Sequence, residues 1–251
     1  AIIVDQARAG VVSPGRYLDL EAALVRLYAQ SEDAQALGWD ERVLGAHCTA
    51  CGGTGSTHLD MGFLPDVHVP CESCGGSGYP PEAWEVRLGG LALPELLSLT
   101  LAQVLERFPQ EEGLIRPLQA ACDVGLGYLV VRQPGYSLSG GEVQRLKIAG
   151  ELCHRAGSPT LYLLDEPTVG QHLADVARLV EVLQRLADQG HTVVVVEHHP
   201  LLLAACDWLV ELGPGGGPEG GRVIAEGPPG QLAAGDTPIA PYLREALGGR
   251  T

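Results

Sequence analysis

Ser137-Leu138-Ser139-Gly140-Gly141-Glu142 and, downstream, Leu161-Tyr162-Leu163-Leu164-Asp165-Glu166-Pro167 are the stretches on which the reading of the fold turns. Asp165 follows Glu142 by 23 residues. The first stretch contains a capping box, S-x-x-E: the serine satisfies helix N–H groups and the glutamate reaches back to the cap. Gly140 and Gly141 let backbone approach a ligand closely, and a helix N-terminus with free N–H groups attracts anions. A bare S-G-G-E is more often a plain helix start. Here it is followed by Gln144-Arg145-Leu146-Lys147-Ile148-Ala149 and then by the Asp-Glu strand. Leu161–Leu164 reads as a buried strand that delivers two adjacent carboxylates at its C-terminal edge, where open α/β sheets bind ligands. Asp165 suits a hard cation such as Mg²⁺, and Glu166 suits the activation of water. The alternative, that two acids merely end a strand at the surface, does not explain the signature upstream. The pairing points to ATP hydrolysis.

Its usual companion is missing from these residues. Lys147 is the one lysine, and it is not in a loop of the form G-x-x-x-x-G-K-[ST]. Gly213 to Gly221 is rich in glycine but has no lysine after it, so it matches a phosphate loop in composition alone. The carboxylates are therefore expected to serve a phosphate loop that precedes Ala1, and the segment alone is expected to hydrolyse ATP poorly.

Around these stretches, strands alternate with helices. Ile2–Val4 reads as a short strand ending at Asp5-Gln6, residues 7–17 as loop, and Leu20–Ala29 as a helix from its apolar spacing. Residues 93–107 and 111–122 read as helices. A helix is expected from about Gly140 to Arg155, capped by Ser139, then a strand at Thr160–Leu164 and a helix over 173–188. Thr192–Val196 is a continuous apolar strand running into Glu197-His198-His199. A short helix at Leu201–Cys206 and strands at Trp208–Leu212 and Arg222–Ala225 follow. Strands apolar throughout predict an α/β sheet covered on both faces. His198 at a strand end suits contact with a γ-phosphate; a lone histidine there is more often ordinary loop. Gln6 is similarly uninformative alone.

The chain has seven cysteines. Four form Cys48-x-x-Cys51 and Cys71-x-x-Cys74, with 19 residues between the pairs. Each continues as C-x-x-C-x-G-x-G, and four thiolates at this spacing suit tetrahedral Zn²⁺. The glycines permit the tight turn that aims backbone N–H groups at the sulfurs. His47, His58 and His68 are read as non-ligands, because four cysteines complete a closed site. The odd total, with Cys122, Cys153 and Cys206 standing alone, suits a metal site in a reducing compartment better than a disulfide framework.

Net charge is −15. Residues 1–90 carry 5 basic and 12 acidic residues, residues 91–157 carry 6 and 7, and residues 158–251 carry 5 and 12. Such a balance argues against a broad nucleic-acid face on this segment while leaving room for local contacts. No apolar run reaches about 18 residues, and no signal peptide is visible at Ala1-Ile2-Ile3-Val4-Asp5.

In this order, these pieces resemble the ATP-binding cassette family and, within it, the UvrA family of damage-recognition ATPases of bacterial nucleotide excision repair. Phe63-Leu64-Pro65-Asp66-Val67-His68-Val69-Pro70-Cys71, Asp123-Val124-Gly125-Leu126-Gly127-Tyr128, and Leu212-Gly213-Pro214 running into Gly220-Gly221 are similar to the second half of that family's chains. The resemblance runs from Asp5-Gln6 to about Gly227. It implies that Gln6 is the Q-loop glutamine. Ser139, Gly140 and Gly141 would form the signature that closes on ATP held by another cassette. Asp165 would be the Walker B aspartate, Glu166 the catalytic glutamate and His198 the switch histidine. The 131 residues between Gln6 and Leu138 exceed what transporter cassettes have. The family places there a helical signature domain bearing a zinc module. The implied architecture is an α/β cassette core with an inserted signature domain carrying the four-cysteine zinc module. Core occupies residues 1–12 and 136–251, the insertion 13–135, and zinc 45–80.

The implied cofactors are ATP, Mg²⁺ and Zn²⁺. The implied partners are damaged duplex DNA, a UvrB-like repair protein and a second copy of the chain, in a cytoplasmic excision nuclease system within the SOS response. Gln171 stands where the family usually has leucine, residues 8–16 fit it poorly, and the acidic balance is unusual for a DNA-contacting segment. These departures leave open a UvrA-like paralogue, some of which are linked to tolerance of DNA-binding drugs, or a non-hydrolysing scaffold. A zinc-dependent chaperone of the DnaJ type also uses C-x-x-C-x-G-x-G. Those proteins carry four such repeats, whereas this chain has two together with ATPase motifs.

Overall fold

A computed structural model describes residues 1–6, 12–59, 67–153, 159–213, 215 and 220–248, without the side chains of residues 58–59 and 67–68. Residues 60–66, which include Phe63-Leu64-Pro65-Asp66, lie outside the described residues, as do Arg155, Pro214 and most of the glycine-rich stretch after it. The chain divides into two compact units: Ala1–Gln6 with Arg155–Thr251, and Ala7–His154.

In chain order, β1 (Ile2–Val4) comes first. The second unit then follows with α1 (Pro14–Tyr17), α2 (Leu20–Ala29), α3 (Glu32–Leu37) and α4 (Glu41–Leu44). Next are the hairpins β2 (Ser56–Leu59) with β3 (Val67–Pro70), and β4 (Arg87–Leu88) with β5 (Leu91–Ala92). Helices α5 (Leu93–Leu96), α6 (Leu101–Arg107), α7 (Glu112–Asp123) and α8 (Gly140–Cys153) complete it. The chain returns to the first unit with β6 (Leu161–Asp165), α9 (Leu173–Asp188), β7 (Thr192–Val196) and α10 (Pro200–Leu203). It ends with β8 (Leu209–Gly213), β9 (Arg222–Gly227), α11 (Pro229–Ala233) and α12 (Ala240–Gly248).

In the first unit, β1, β6 and β7 form a parallel sheet in the order β1-β6-β7. α9 turns its apolar stripe inward, burying Val176, Leu179, Val182, Leu183 and Leu186. Tyr162 and Leu164 of β6 are buried, whereas Ile3 and Val194, in register with Leu163 on the other face, are 68 % and 47 % exposed. A sheet covered on both faces was expected from its continuous apolar strands; among the described residues, one face is covered. The antiparallel pair β8–β9 leads to a small core of Leu203, Ala204, Leu232, Ala233 and Leu243 beneath α10, α11 and α12.

The second unit is mainly helical around Leu20, Leu24, Tyr28, Leu44, Leu96 and Leu118, all fully buried. Each such leucine contributes about 1.5–3 kcal/mol of transfer free energy. The expected loop at 7–17 contains the one-turn helix α1: Ser13 Oγ accepts from the Arg16 N–H and Pro14 occupies the first turn. The expected helix at 93–107 is two helices. Thr100 forms a second capping box with Gln103, because the backbone of residues 97–102 turns away to pair with residues 127–132. Among the described residues no helix is long and apolar enough to cross a membrane.

Candidate functional site

The parallel register of the three-stranded sheet decides which residues meet at its C-terminal edge. Val4, Leu164 and Val195 lie side by side. Gln6, Glu166 and Glu197 each follow two residues later, so all three emerge at one edge, with His198 one residue beyond. Asp165 ends β6 opposite Val196. Gln6, Asp165 and Glu166 are exposed.

Glu166 has φ +43°, in the left-handed region that a side chain with a Cβ seldom adopts. Its N–H donates to the Val196 carbonyl at 2.8 Å and its carbonyl accepts from the Val169 N–H at 3.2 Å. These bonds hold the backbone in its strained turn and leave the carboxylate 52 % exposed. Strain of this kind gathers at functional sites. His198 Nδ1 lies 3.9 Å from Glu166 Oε1, and its side chain is 75 % exposed. The neighbouring histidine is different: His199 Nδ1 accepts from the Leu201 N–H at 3.3 Å and caps α10. Of two adjacent histidines, geometry leaves His198 as the one facing the edge.

Sequence reading passed over Glu197. Its carboxylate is fully buried. Oε1 accepts from the Thr168 N–H at 3.0 Å and from the Thr168 hydroxyl, and Oε2 accepts from the N–H groups of His198 and His199. Burial raises the affinity of this carboxyl for a proton, but the four donors outweigh it and hold the group below the ordinary carboxylate range. The signal available in the sequence was an acid closing an apolar strand next to a histidine pair. Gln171 closes the same loop from the other side, its amide donating to the Pro167 carbonyl.

The Ser139 signature belongs to the second unit. Here the capping box forms in full: the Ser139 N–H donates to Glu142 Oε2 at 2.6 Å and the Glu142 N–H to Ser139 Oγ at 3.3 Å. Tyr128 OH donates to Glu142 Oε1 at 2.6 Å, a contact the sequence did not announce. Leu138 is fully buried and anchors the turn, leaving Ser139 exposed. Gly140 and Gly141 open α8, which packs on α7 and is buried over most of its circumference.

The same unit holds the four cysteines. Cys48 Sγ lies 3.9 Å from Cys71 Sγ, Cys51 Sγ lies 3.8 Å from Cys74 Sγ, and all four sulfurs fall within 4.8 Å of one another. Four sulfurs at about 2.3 Å from one tetrahedral zinc stand about 3.8 Å apart, so the set fits Zn²⁺. The two knuckles pair reciprocally. The Cys48 N–H donates to the Gly78 carbonyl and the Cys71 N–H to the Gly55 carbonyl, both at 2.9 Å. The Gly78 N–H donates to Cys74 Sγ at 3.2 Å. Burial opposes ionisation of Cys74, yet the Gly78 N–H and neighbouring donors bring its thiol down, whereas burial pushes the Cys71 thiol up. His47 points elsewhere, with Nε2 3.1 Å from Arg16 Nη2. The side chains of His58 and His68 lie outside the described residues.

No protein-family profile matches the chain. It is 42 % identical over 250 residues to UvrABC system protein A of Thermus thermophilus, covering 96 % of this chain and 26 % of that protein. The namesake from Methanothermobacter thermautotrophicus is 42 % identical over 254 residues, covering 98 % and 26 %. The crystal structure of UvrA2 from Deinococcus radiodurans superposes with a TM-score of 0.87 at 38 % identity, covering 98 % of this chain and 31 % of that one. The chain thus spans about a quarter of the length of the curated relatives it matches. The fold is that of an ATP-binding cassette core, and it carries a four-cysteine cluster. Over nearly its whole length, the chain is similar to one segment of these UvrA proteins.

Proposed function

We propose that these residues form part of an ATPase that governs recognition of damaged DNA in nucleotide excision repair. The observation that carries the reading is Glu166: a carboxylate held in left-handed backbone at the C-terminal sheet edge, within ion-pair reach of His198. In this reading the residues divide as the UvrA resemblance implies. Residues 1–12 and 136–251 serve the cassette core, and residues 13–135 the inserted signature domain.

The hydrolytic step follows from the edge. Glu166 accepts a proton from water as the water oxygen bonds to the γ-phosphorus. The bond from phosphorus to the bridging oxygen breaks, and ADP leaves. His198 donates a hydrogen bond to a γ-phosphate oxygen, and Gln6 orients groups beside it. Asp165 would hold Mg²⁺, whose charge offsets that of the phosphates when bound. Ser139, Gly140 and Gly141 present the N-terminus of α8 to a nucleotide on a second cassette, which makes the sites composite and favours a homodimer. Cys48, Cys51, Cys71 and Cys74 hold a structural Zn²⁺. Closure of the cassettes reshapes the DNA-binding surface and passes damaged duplex to a UvrB-like partner in the cytoplasm.

Glu166→Gln in the intact encoded protein tests this. ATP turnover should fall by about a hundredfold or more while nucleotide binding persists; unchanged turnover would remove the catalytic assignment. A UvrA-like paralogue in tolerance of DNA-binding drugs is the second reading, favoured by the structural match to UvrA2 and the acidic balance. Equal affinity for damaged and intact duplex would select it.

A further inference from the structure

We propose that Glu197 is a positioning residue that clamps the loop bearing Glu166 to the loop bearing His198. The proposal rests on the catalytic reading of Glu166 and His198 given above. The two loops follow different strands, and the residues the clamp joins, Thr168 and Glu197, are 29 positions apart. One buried carboxylate spans them. Oε1 takes both donors of Thr168, two residues after Glu166, and Oε2 takes the backbone N–H groups of His198 and His199. His198 Nδ1 lies 3.6 Å from the same Oε2, so the clamp also lies beside the ring it places.

The chemistry explains why a carboxylate stands here. Four donors converge, and an ionised carboxylate offers two oxygens with acceptor capacity for all of them. A glutamine at this place would keep one carbonyl oxygen but turn an NH₂ toward two donors. Burial without solvent keeps the interactions strong and makes an unmatched group costly. The residue touches neither Glu166 nor a reacting atom in this reading. It fixes the separation of the base and the histidine, where small misplacements cost rate.

The test uses the intact encoded protein, with ATP hydrolysis resolved into kcat and KM. Glu197→Gln should lower kcat by about tenfold with KM for ATP changed by no more than about twofold. Thr168→Val, which removes the hydroxyl and keeps every backbone donor, should lower kcat in the same manner. Thr168→Ser should retain near-normal kcat. Thr168→Val added to Glu197→Ala should cause no further loss, because both end on one interaction. Wild-type kcat in Glu197→Gln, a KM that rises in step with the loss, or Thr168→Ser behaving as Thr168→Val would overturn the clamp. If Glu197→Gln does not fold, the two Thr168 variants decide. Glu166→Gln is measured in parallel. If it abolishes turnover while Glu197→Gln is normal, the clamp alone fails; if it leaves turnover intact, the catalytic reading itself fails.

Discussion

Arg132 donates from Nη1 to the carbonyl of Gly76 at 2.8 Å, joining the second cysteine knuckle to the segment that runs into the signature. The backbone of Arg132 is itself held, its N–H donating to the Leu97 carbonyl at 3.0 Å. The four-cysteine module is thereby attached to the framework of the helical unit. Arg132→Ala should cost about 1.5–3 kcal/mol, as expected for a hydrogen bond from a charged donor. Urea unfolding of the zinc-loaded protein would check this, and an unchanged midpoint would show the contact to be idle.

Metal analysis should find one Zn²⁺ per chain. Its removal with a chelator should lower the melting temperature and open residues 45–80 to proteolysis, because the knuckles have little apolar core of their own. A metal-free preparation as stable as the loaded one would contradict the zinc assignment.

Gly55 is a sharper probe of the same module. It has φ +70°, and a Cβ there would stand 2.4 Å from the Gly76 carbonyl oxygen. Gly55→Ala should therefore weaken zinc retention in a competition assay, although it touches no ligand sulfur. Gly52, with φ +62° and nothing within reach of a Cβ, provides the control: Gly52→Ala meets backbone strain alone and should lose less.

The strained backbone of Glu166 makes a prediction independent of catalysis. At an ordinary position glycine is less stable than alanine; at φ +43° the order should reverse. Glu166→Gly should exceed Glu166→Ala in stability by about 1 kcal/mol, read from denaturant midpoints. Equal midpoints would argue that the turn relaxes.

Glu197 sets a pH dependence. Its folded-state carboxyl lies below the ordinary carboxylate value, so the ionised form contributes stability above the unfolded value of about 4.3. That contribution is lost as pH falls through the lower folded value. The stability gap between wild type and Glu197→Gln should be full at neutral pH and shrink in acid. A gap that widens in acid would reverse the sign argued here.

Local pattern was enough for much of this molecule. The run Thr192–Val196, the stripe of Leu173–Asp188 and the two C-x-x-C knuckles were legible because their signals lie within one turn, one strand or one loop. The helix break at residues 97–100 was not, because it follows from pairing with residues 127–132. Nor was the contact of Gln171, whose amide donates to the Pro167 carbonyl within the folded loop.

From sequence alone came the class of fold, the grouping of four cysteines and the placing of Asp165-Glu166 at the end of an apolar strand. Each depends on side-chain chemistry and short-range spacing. Only the tertiary structure decided that Glu166 lies in left-handed backbone, that His198 faces the edge while His199 caps a helix, and that Glu197 joins two loops. These depend on the parallel register of β1, β6 and β7, which brings distant residues to one edge, and on a buried carboxylate that must find its donors wherever the folded chain supplies them.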